Sequence, residues 1–126
     1  MEIVRKAYDA FNRGDFDRAI ELAHPEIEVV TAGGVQPPIR GTAALRTWME
    51  PDAIQDQRIE PLEFRSNGNK VLVRQRTHGR GSGSGIELDV ESWVVWTLDE
   101  NGLATQLANF LYHERNEALE AAGLSE

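Results

Sequence analysis

The sequence contains no cysteine. This absence excludes a disulfide framework, a thiolate metal site and a cysteine nucleophile. Also missing is any apolar run near the roughly 18 residues that cross a bilayer, and the chain enters a helical pattern at residues 1–3 without a signal peptide. We therefore expect a soluble, cytoplasmic protein with no membrane partner.

An excess of positive charge is missing as well. Thirteen Lys and Arg stand against 21 Asp and Glu, a formal net charge of −8. Proteins that bind nucleic acid depend on clustered positive charge, so we expect no nucleic-acid partner. The charge is uneven, however, because residues 58–80 hold six basic and two acidic residues. Binding of a small anionic ligand by these basic residues is therefore not excluded.

Apolar residues are plentiful enough for one folded core. They make up 40% of 126 residues, and no linker or internal repeat divides the chain, which predicts one domain over 1–126. Spacings of three and four predict an amphipathic helix over 3–11, ended by Gly14. Asp15 is placed to cap a second helix, and Thr42 a third that Pro51 ends.

The second half of the chain has the period of strands. Four runs, at 59–65, 70–80, 86–98 and 103–112, are separated by short turns rich in Gly and Asn, which predicts an antiparallel meander. A strand is also predicted at 27–30 and a last helix at 114–122. Helices followed by a meander indicate an α+β fold in which helices cover one face of a curved sheet.

Four segments carry a resemblance to a known family. They are VRKAYDAFNRGDFD at 4–17, HPEIE at 24–28, IRGTAAL at 39–45 and WTLDENG at 96–102. With the order of elements, they resemble the nuclear-transport-factor-2-like superfamily, in its SnoaL-like branch. This resemblance implies a cone-shaped, cystatin-like antiparallel sheet whose concave face, under the N-terminal helices, encloses a mainly apolar pocket.

The resemblance leaves the activity open, since related proteins include ketosteroid isomerases, polyketide cyclases, an epoxide hydrolase and dehydratases. The isomerases use a tyrosine and two aspartates. The corresponding positions here are Ala7, one place before Tyr8, then Thr31 and Trp93. The isomerase triad is therefore absent, and Tyr8 is turned about 100° from the equivalent position on the helix.

Pocket residues follow from the alternation of the strands and from the helix pattern. Gln75 and Thr77 continue the face of Val71 and Val73, which we expect to point inward. The full predicted lining is Tyr8, Phe11, Trp48, Phe64, Val73, Gln75, Thr77 and Trp93. These side chains predict a pocket for a small, mainly apolar molecule.

Asp89 and Glu91 are the candidate catalytic groups, and two orientations are open. In an apolar pocket their pKa would rise, which suits a general acid or base. Alternatively they face solvent and pair with Arg74 and Arg76. A plain hairpin at 81–85 turns Glu91 and Trp93 outward, whereas a bulge turns them inward, and the family alignment favours Trp93 inside.

The run Trp-Val-Val-Trp at 93–96 is apolar on both faces. In similar proteins the outer face of the sheet packs on a second subunit, so we predict a homodimer through Leu88, Val94 and Trp96. No histidine pair or Cys/His/Asp cluster has metal-ligand spacing, and neither a metal nor a cofactor is expected.

Two classes of function follow. The first is a small-molecule enzyme, an isomerase, cyclase or hydrolase. The alternative is a non-catalytic ligand-binding or association module.

Overall fold

The computed structural model describes residues 2–34, 36–50 and 54–125. Its α-helices are α1 (Glu2–Asn12), α2 (Phe16–Glu21), α3 (Thr42–Met49) and α4 (Arg115–Ala121), and its strands are β1 (Ala23–Val30), β2 (Ile39–Arg40), β3 (Ile54–Asn67), β4 (Lys70–Gly81), β5 (Glu87–Leu98) and β6 (Ala104–Leu111). Short 3₁₀ turns follow β1 at Ala32–Gly34 and β6 at Tyr112–Glu114. The predicted α+β class is confirmed.

The first helices form where the apolar spacing predicts them. Val4, Tyr8 and Phe11 lie on the buried face of α1. The chain turns at Gly14, whose φ of 77° favours glycine. The Asp15 carboxylate then accepts a hydrogen bond from the Arg18 backbone N–H at 3.2 Å, which caps α2 as expected.

One six-stranded sheet carries the fold, in the order β2-β1-β6-β5-β4-β3. The strands β3 to β6 are the predicted antiparallel meander, and β1 lies parallel to β6. Two strands are longer than predicted: β1 already begins at Ala23, and β3 at Ile54. Pairing with a neighbour sets these lengths, since Ile54 pairs with Gly81 at the far end of β4. The predicted helix stop at Pro51 lies outside the described residues.

The sheet separates two groups of buried side chains. On the concave face, under α1 to α3, lies a cluster that includes Val73, Val94 and Trp96. On the convex face, Leu72, Trp93 and Val95 pack with buried residues of α4, among them Ala118 and Leu119. The C-terminal helix therefore covers part of the outer face within one chain.

The orientation of β5 corrects two predictions. Trp93 lies on the convex face, away from the pocket, whereas Val94 and Trp96 lie on the concave face and are 4% and 8% exposed. The cause is a plain hairpin, because β4 and β5 pair without a bulge from Lys70 opposite Thr97 to Arg80 opposite Glu87. The predicted dimer surface on the outer face is therefore wrong: the chain's own core buries Val94 and Trp96, and Leu88 lies on the same concave face.

Within the described part of the chain, no helix is long and apolar enough to cross a membrane.

The packing of α4 on the convex face makes a stability prediction. Leu119→Ala removes a side chain that is 4% exposed and should lower the free energy of unfolding by about 2–4 kcal/mol. Leu111→Ala is the matched control, since Leu111 is 41% exposed and its loss should cost less than about 1 kcal/mol. Urea denaturation of both variants measures the difference, and equal losses would contradict the packing described.

Candidate functional site

A mainly apolar cavity of about 80 Å³ opens on the concave side of the sheet. Helices α1, α2 and α3 form one wall, and β1 and β3 to β6 form the other. The lining consists of Ala7, Tyr8, Phe11, Ala19, Leu22, Ala23, Ile27, Leu45, Trp48, Met49, Ile59, Gln75, Val94, Trp96, Ala104, Leu107 and Asn109. Among these described residues none carries a charged or imidazole side chain.

A chain of hydrogen bonds forms the polar centre of this cavity. The Tyr8 hydroxyl donates to Oε1 of Gln75 at 2.5 Å and accepts from the indole Nε1 of Trp96 at 3.4 Å. The Nε2 of Gln75 donates to the hydroxyl oxygen of Ser92 at 3.5 Å. Tyr8 and Gln75 are 6% and 7% exposed, so water does not compete for these bonds.

Burial controls the protonation of Tyr8. Desolvation of the phenolate raises the pKa of Tyr8 far above its usual range, and the hydrogen bond from Trp96 offsets this only in part. The hydroxyl therefore keeps its proton at neutral pH. A neutral phenol in this position is a hydrogen-bond donor, not a base.

Aromatic rings hold Tyr8 in place. The Phe64 ring meets it edge to face, with centroids 6.3 Å apart, and the Trp96 ring lies at 5.6 Å. The guanidinium carbon of Arg5 sits 4.2 Å from the Phe64 centroid, on the outer side of that ring. Because two aromatic rings pack against the Tyr8 ring, the position of the Tyr8 oxygen is set before any ligand binds, and only its O–H bond has to turn towards a ligand.

The predicted pocket residues divide into three groups. Tyr8, Phe11, Trp48 and Gln75 line the cavity. Phe64 and Val73 belong to the surrounding core cluster. Thr77 lies two residues beyond Gln75 on the same strand face and is half-buried, whereas Trp93 is on the opposite face.

Asn109 is a lining residue that the sequence analysis missed. Its Nδ2 donates to the Val30 carbonyl at 3.0 Å, across the parallel pair β1 and β6. This bond leaves the side-chain oxygen as an acceptor within the cavity wall. Alternation along β6, where Ala104, Leu107 and Asn109 share the cavity, is irregular near Ala104 because the ladder with β5 shifts there.

The candidate acids lie on the convex face, which is the second of the two orientations left open, with pairing to Arg74 and Arg76. Asp89 accepts two hydrogen bonds from Arg76, at 2.5 and 3.0 Å, and this contact lowers the pKa of the Asp89 carboxyl. Glu91 lies 3.4 Å from Arg74. The plain hairpin produces these cross-strand pairs, and it gives neither carboxylate access to the cavity.

No group of three or more metal-binding side chains occurs in the part of the chain that the structure describes. His78 lies on the convex face between Glu60 and Asp89, at 3.5 and 4.0 Å. This contact is an ion pair only when the imidazole is protonated.

The protonation of Tyr8 is directly measurable. In a Tyr112→Phe variant, Tyr8 is the one remaining tyrosine of two. Its tyrosinate absorbance should stay absent when the pH passes about 10, the ordinary tyrosine pKa, and appear when urea unfolds the protein. Since the unfolded chain then loses a proton that the folded chain keeps, stability should fall as the pH rises above that value. Tyrosinate absorbance with native circular dichroism at that pH would contradict the buried hydroxyl.

Comparison with known proteins agrees with this architecture. Residues 4–107 match the model of the SnoaL-like domain. Aklanonic acid methyl ester cyclase DnrD from Streptomyces peucetius is 28% identical over 89 residues, which cover 67% of this chain and 60% of that protein. This chain thus spans less than two thirds of that cyclase.

Solved structures show the same fold. The epoxide hydrolase/cyclase-like enzyme SalBIII of pyran ring formation in the polyether salinomycin has a TM-score of 0.78 at 22% identity, covering 86% of this chain and 87% of that one. A candidate polyketide cyclase from Sinorhizobium meliloti has a TM-score of 0.71 at 28% identity, with 86% and 94% covered. The match to the SnoaL-like domain over residues 4–107, most of the chain, shows that this chain belongs to the SnoaL-like family.

Proposed function

We propose that the cavity binds a small, mainly apolar molecule through a carbonyl oxygen that accepts a hydrogen bond from Tyr8. The observation that carries this proposal is the protonated Tyr8 hydroxyl, fixed between Gln75 and Trp96 in an otherwise apolar cavity. A carbonyl is the matching group because it accepts without donating, and its apolar surroundings fit the lining.

A ligand oxygen replaces the Gln75 oxygen as the acceptor of the Tyr8 proton. The Gln75 amide keeps its neighbour Ser92, and Trp96 continues to donate to the Tyr8 oxygen. Donation into the Tyr8 oxygen polarises its O–H bond and strengthens the bond to the ligand. The donors of the cluster then all keep an acceptor, whereas the Gln75 oxygen has to receive a new donor from the ligand or from bound water.

Among enzyme activities, a cyclase or isomerase fits this arrangement best. A buried donor stabilises negative charge that develops on a carbonyl oxygen, and enclosing walls hold a flexible substrate folded. The similarity to DnrD, itself named a cyclase, supports this class. The described lining offers no ionisable base, so the proton acceptor has to be a bound water or a group of the substrate.

The second candidate function is ligand binding without catalysis. It is favoured by the lack of an ionisable base in the described lining, since the candidate acids Asp89 and Glu91 face away from the cavity. The homodimer and the cytoplasmic location stay predictions. A dimer would have to use a surface other than the buried Val94 and Trp96.

The binding proposal is tested with acetophenone, which has a carbonyl, against ethylbenzene, which lacks it. Tyr8→Phe should weaken acetophenone binding about fivefold to tenfold, since one buried hydrogen bond is lost. Ethylbenzene affinity should stay within about twofold, because it makes no such bond. Titration followed by proton–nitrogen NMR measures both.

Controls come from the chain itself. Tyr112→Phe removes a hydroxyl from a residue that is 60% exposed, and should leave both affinities unchanged. The indole signals of Trp48 and Trp96 should shift on binding, while that of Trp93, on the convex face and bonded to the Tyr112 carbonyl, should not. Equal weakening of both ligands by Tyr8→Phe, or a shift confined to Trp93, would refute the proposed site.

A further inference from the structure

Exposed apolar side chains lie at the end of the sheet where the cavity lining stops. Of the large apolar residues that are exposed, Trp48 lines the cavity itself and is 37% exposed. Leu111 and Val90 are 41% and 53% exposed and belong to β6 and β5. Leu111 pairs with Ser92, which pairs with Gln75 of the cavity wall. Leu111 therefore lies in the row of the sheet where the lining ends, and Val90 lies one residue pair beyond it, opposite Thr77.

The face of β5 that lines the cavity continues past this row without interruption. The pairing of β4 and β5 has no bulge between Trp96 and Leu88, so alternate residues keep one orientation. Val90 and Leu88 thus lie on the face of Val94 and Trp96. At the rise of a strand they are roughly 7 and 13 Å beyond Ser92.

A neighbouring strand extends this surface. Opposite Leu88 stands Gly79, on the β4 face that also carries Gln75. A Cβ on Gly79 would lie 2.8 Å from Cγ2 of Ile54, which shows that Ile54 of β3 covers the glycine on the concave side. Ile54, Leu88 and Val90 therefore share one part of the concave face beyond the cavity, where Thr77 stands opposite Val90. We call these three apolar side chains the apolar ramp.

We propose that the apolar ramp binds the part of an elongated ligand that projects from the cavity. Such a ligand has a carbonyl near one end, which binds Tyr8, and an apolar chain several carbons long, which lies on the ramp. The carbonyl contact with Tyr8 in this proposal rests on the proposed function.

Two observations favour a ligand over a protein as the occupant. A cavity of about 80 Å³ is far below the roughly 300–1,000 Å³ of typical small-molecule pockets, so a larger ligand has to extend outside. A stable dimer needs about 800 Å² on each partner, which is more than three side chains present. Both observations agree with the continuity of Leu88 and Val90 with the β5 face that lines the cavity.

The experiment measures affinity along the series acetophenone, butyrophenone, hexanophenone and octanophenone. With one side of the chain covered, each CH₂ beyond the cavity should raise affinity about twofold, half the logarithmic gain of full burial. The double variant Leu88→Ser with Val90→Thr should weaken octanophenone about fivefold to tenfold and leave acetophenone within about twofold. Glu87→Gln, on the opposite face of β5, is the control and should change neither affinity.

The possible results separate the two proposals. An affinity that stops rising after butyrophenone, or a double variant that keeps the full gain, overturns the ramp while Tyr8-dependent binding of acetophenone still supports the cavity. In another result, affinity rises along the series in a way that the double variant abolishes and Tyr8→Phe does not change. That result supports ligand binding at the ramp and contradicts the carbonyl contact with Tyr8. Failure of every ketone to bind overturns both. A dimer in sedimentation that the double variant dissociates assigns the ramp to a second copy, and also overturns it.

Discussion

The unbroken pairing of β4 with β5 decides which side chains the cavity receives. Because the two strands exchange hydrogen bonds without a bulge, every second residue of β5 is committed to one face. Trp96 can then donate to Tyr8, while Trp93 is left to pack under α4. A shift of one residue would exchange these roles and turn Asp89 and Glu91 to the concave face.

The same pairing separates two chemical environments on one sheet. On the convex face, exposed carboxylates and guanidinium groups pair across strands, as Asp89 does with Arg76, and each such pair contributes little to stability. On the concave face the polar groups are neutral, few and mutually bonded, which is the condition for burying them at low cost. We therefore propose that the cavity selects ligands by shape and by a carbonyl acceptor more than by charge, since its described lining carries no charged side chain.

The fold was largely predictable, since it rests on local signals: the spacing of Val4, Tyr8 and Phe11, the cap at Asp15, and the short turns of the meander. The orientation of β5 was not. In the run Trp-Val-Val-Trp at 93–96 the side chains on both faces of the strand are apolar, so the alternation does not show which face is buried in the cavity. The register of the hairpin decides which residues lie on each face. Tyr8 was predicted as a pocket residue, but its bond to Gln75 joins residues 67 positions apart and only the tertiary structure reveals it.

We propose above all that the Tyr8 hydroxyl donates a hydrogen bond to the ligand's carbonyl oxygen inside the cavity. A crystal structure of the protein soaked with hexanophenone tests it most directly. The ketone oxygen should lie within hydrogen-bond distance of the Tyr8 oxygen, and the alkyl chain should run past Ser92 towards Val90. A ketone bound elsewhere, for example in the convex groove beside Trp93 and Arg115, with the cavity unchanged, would contradict it.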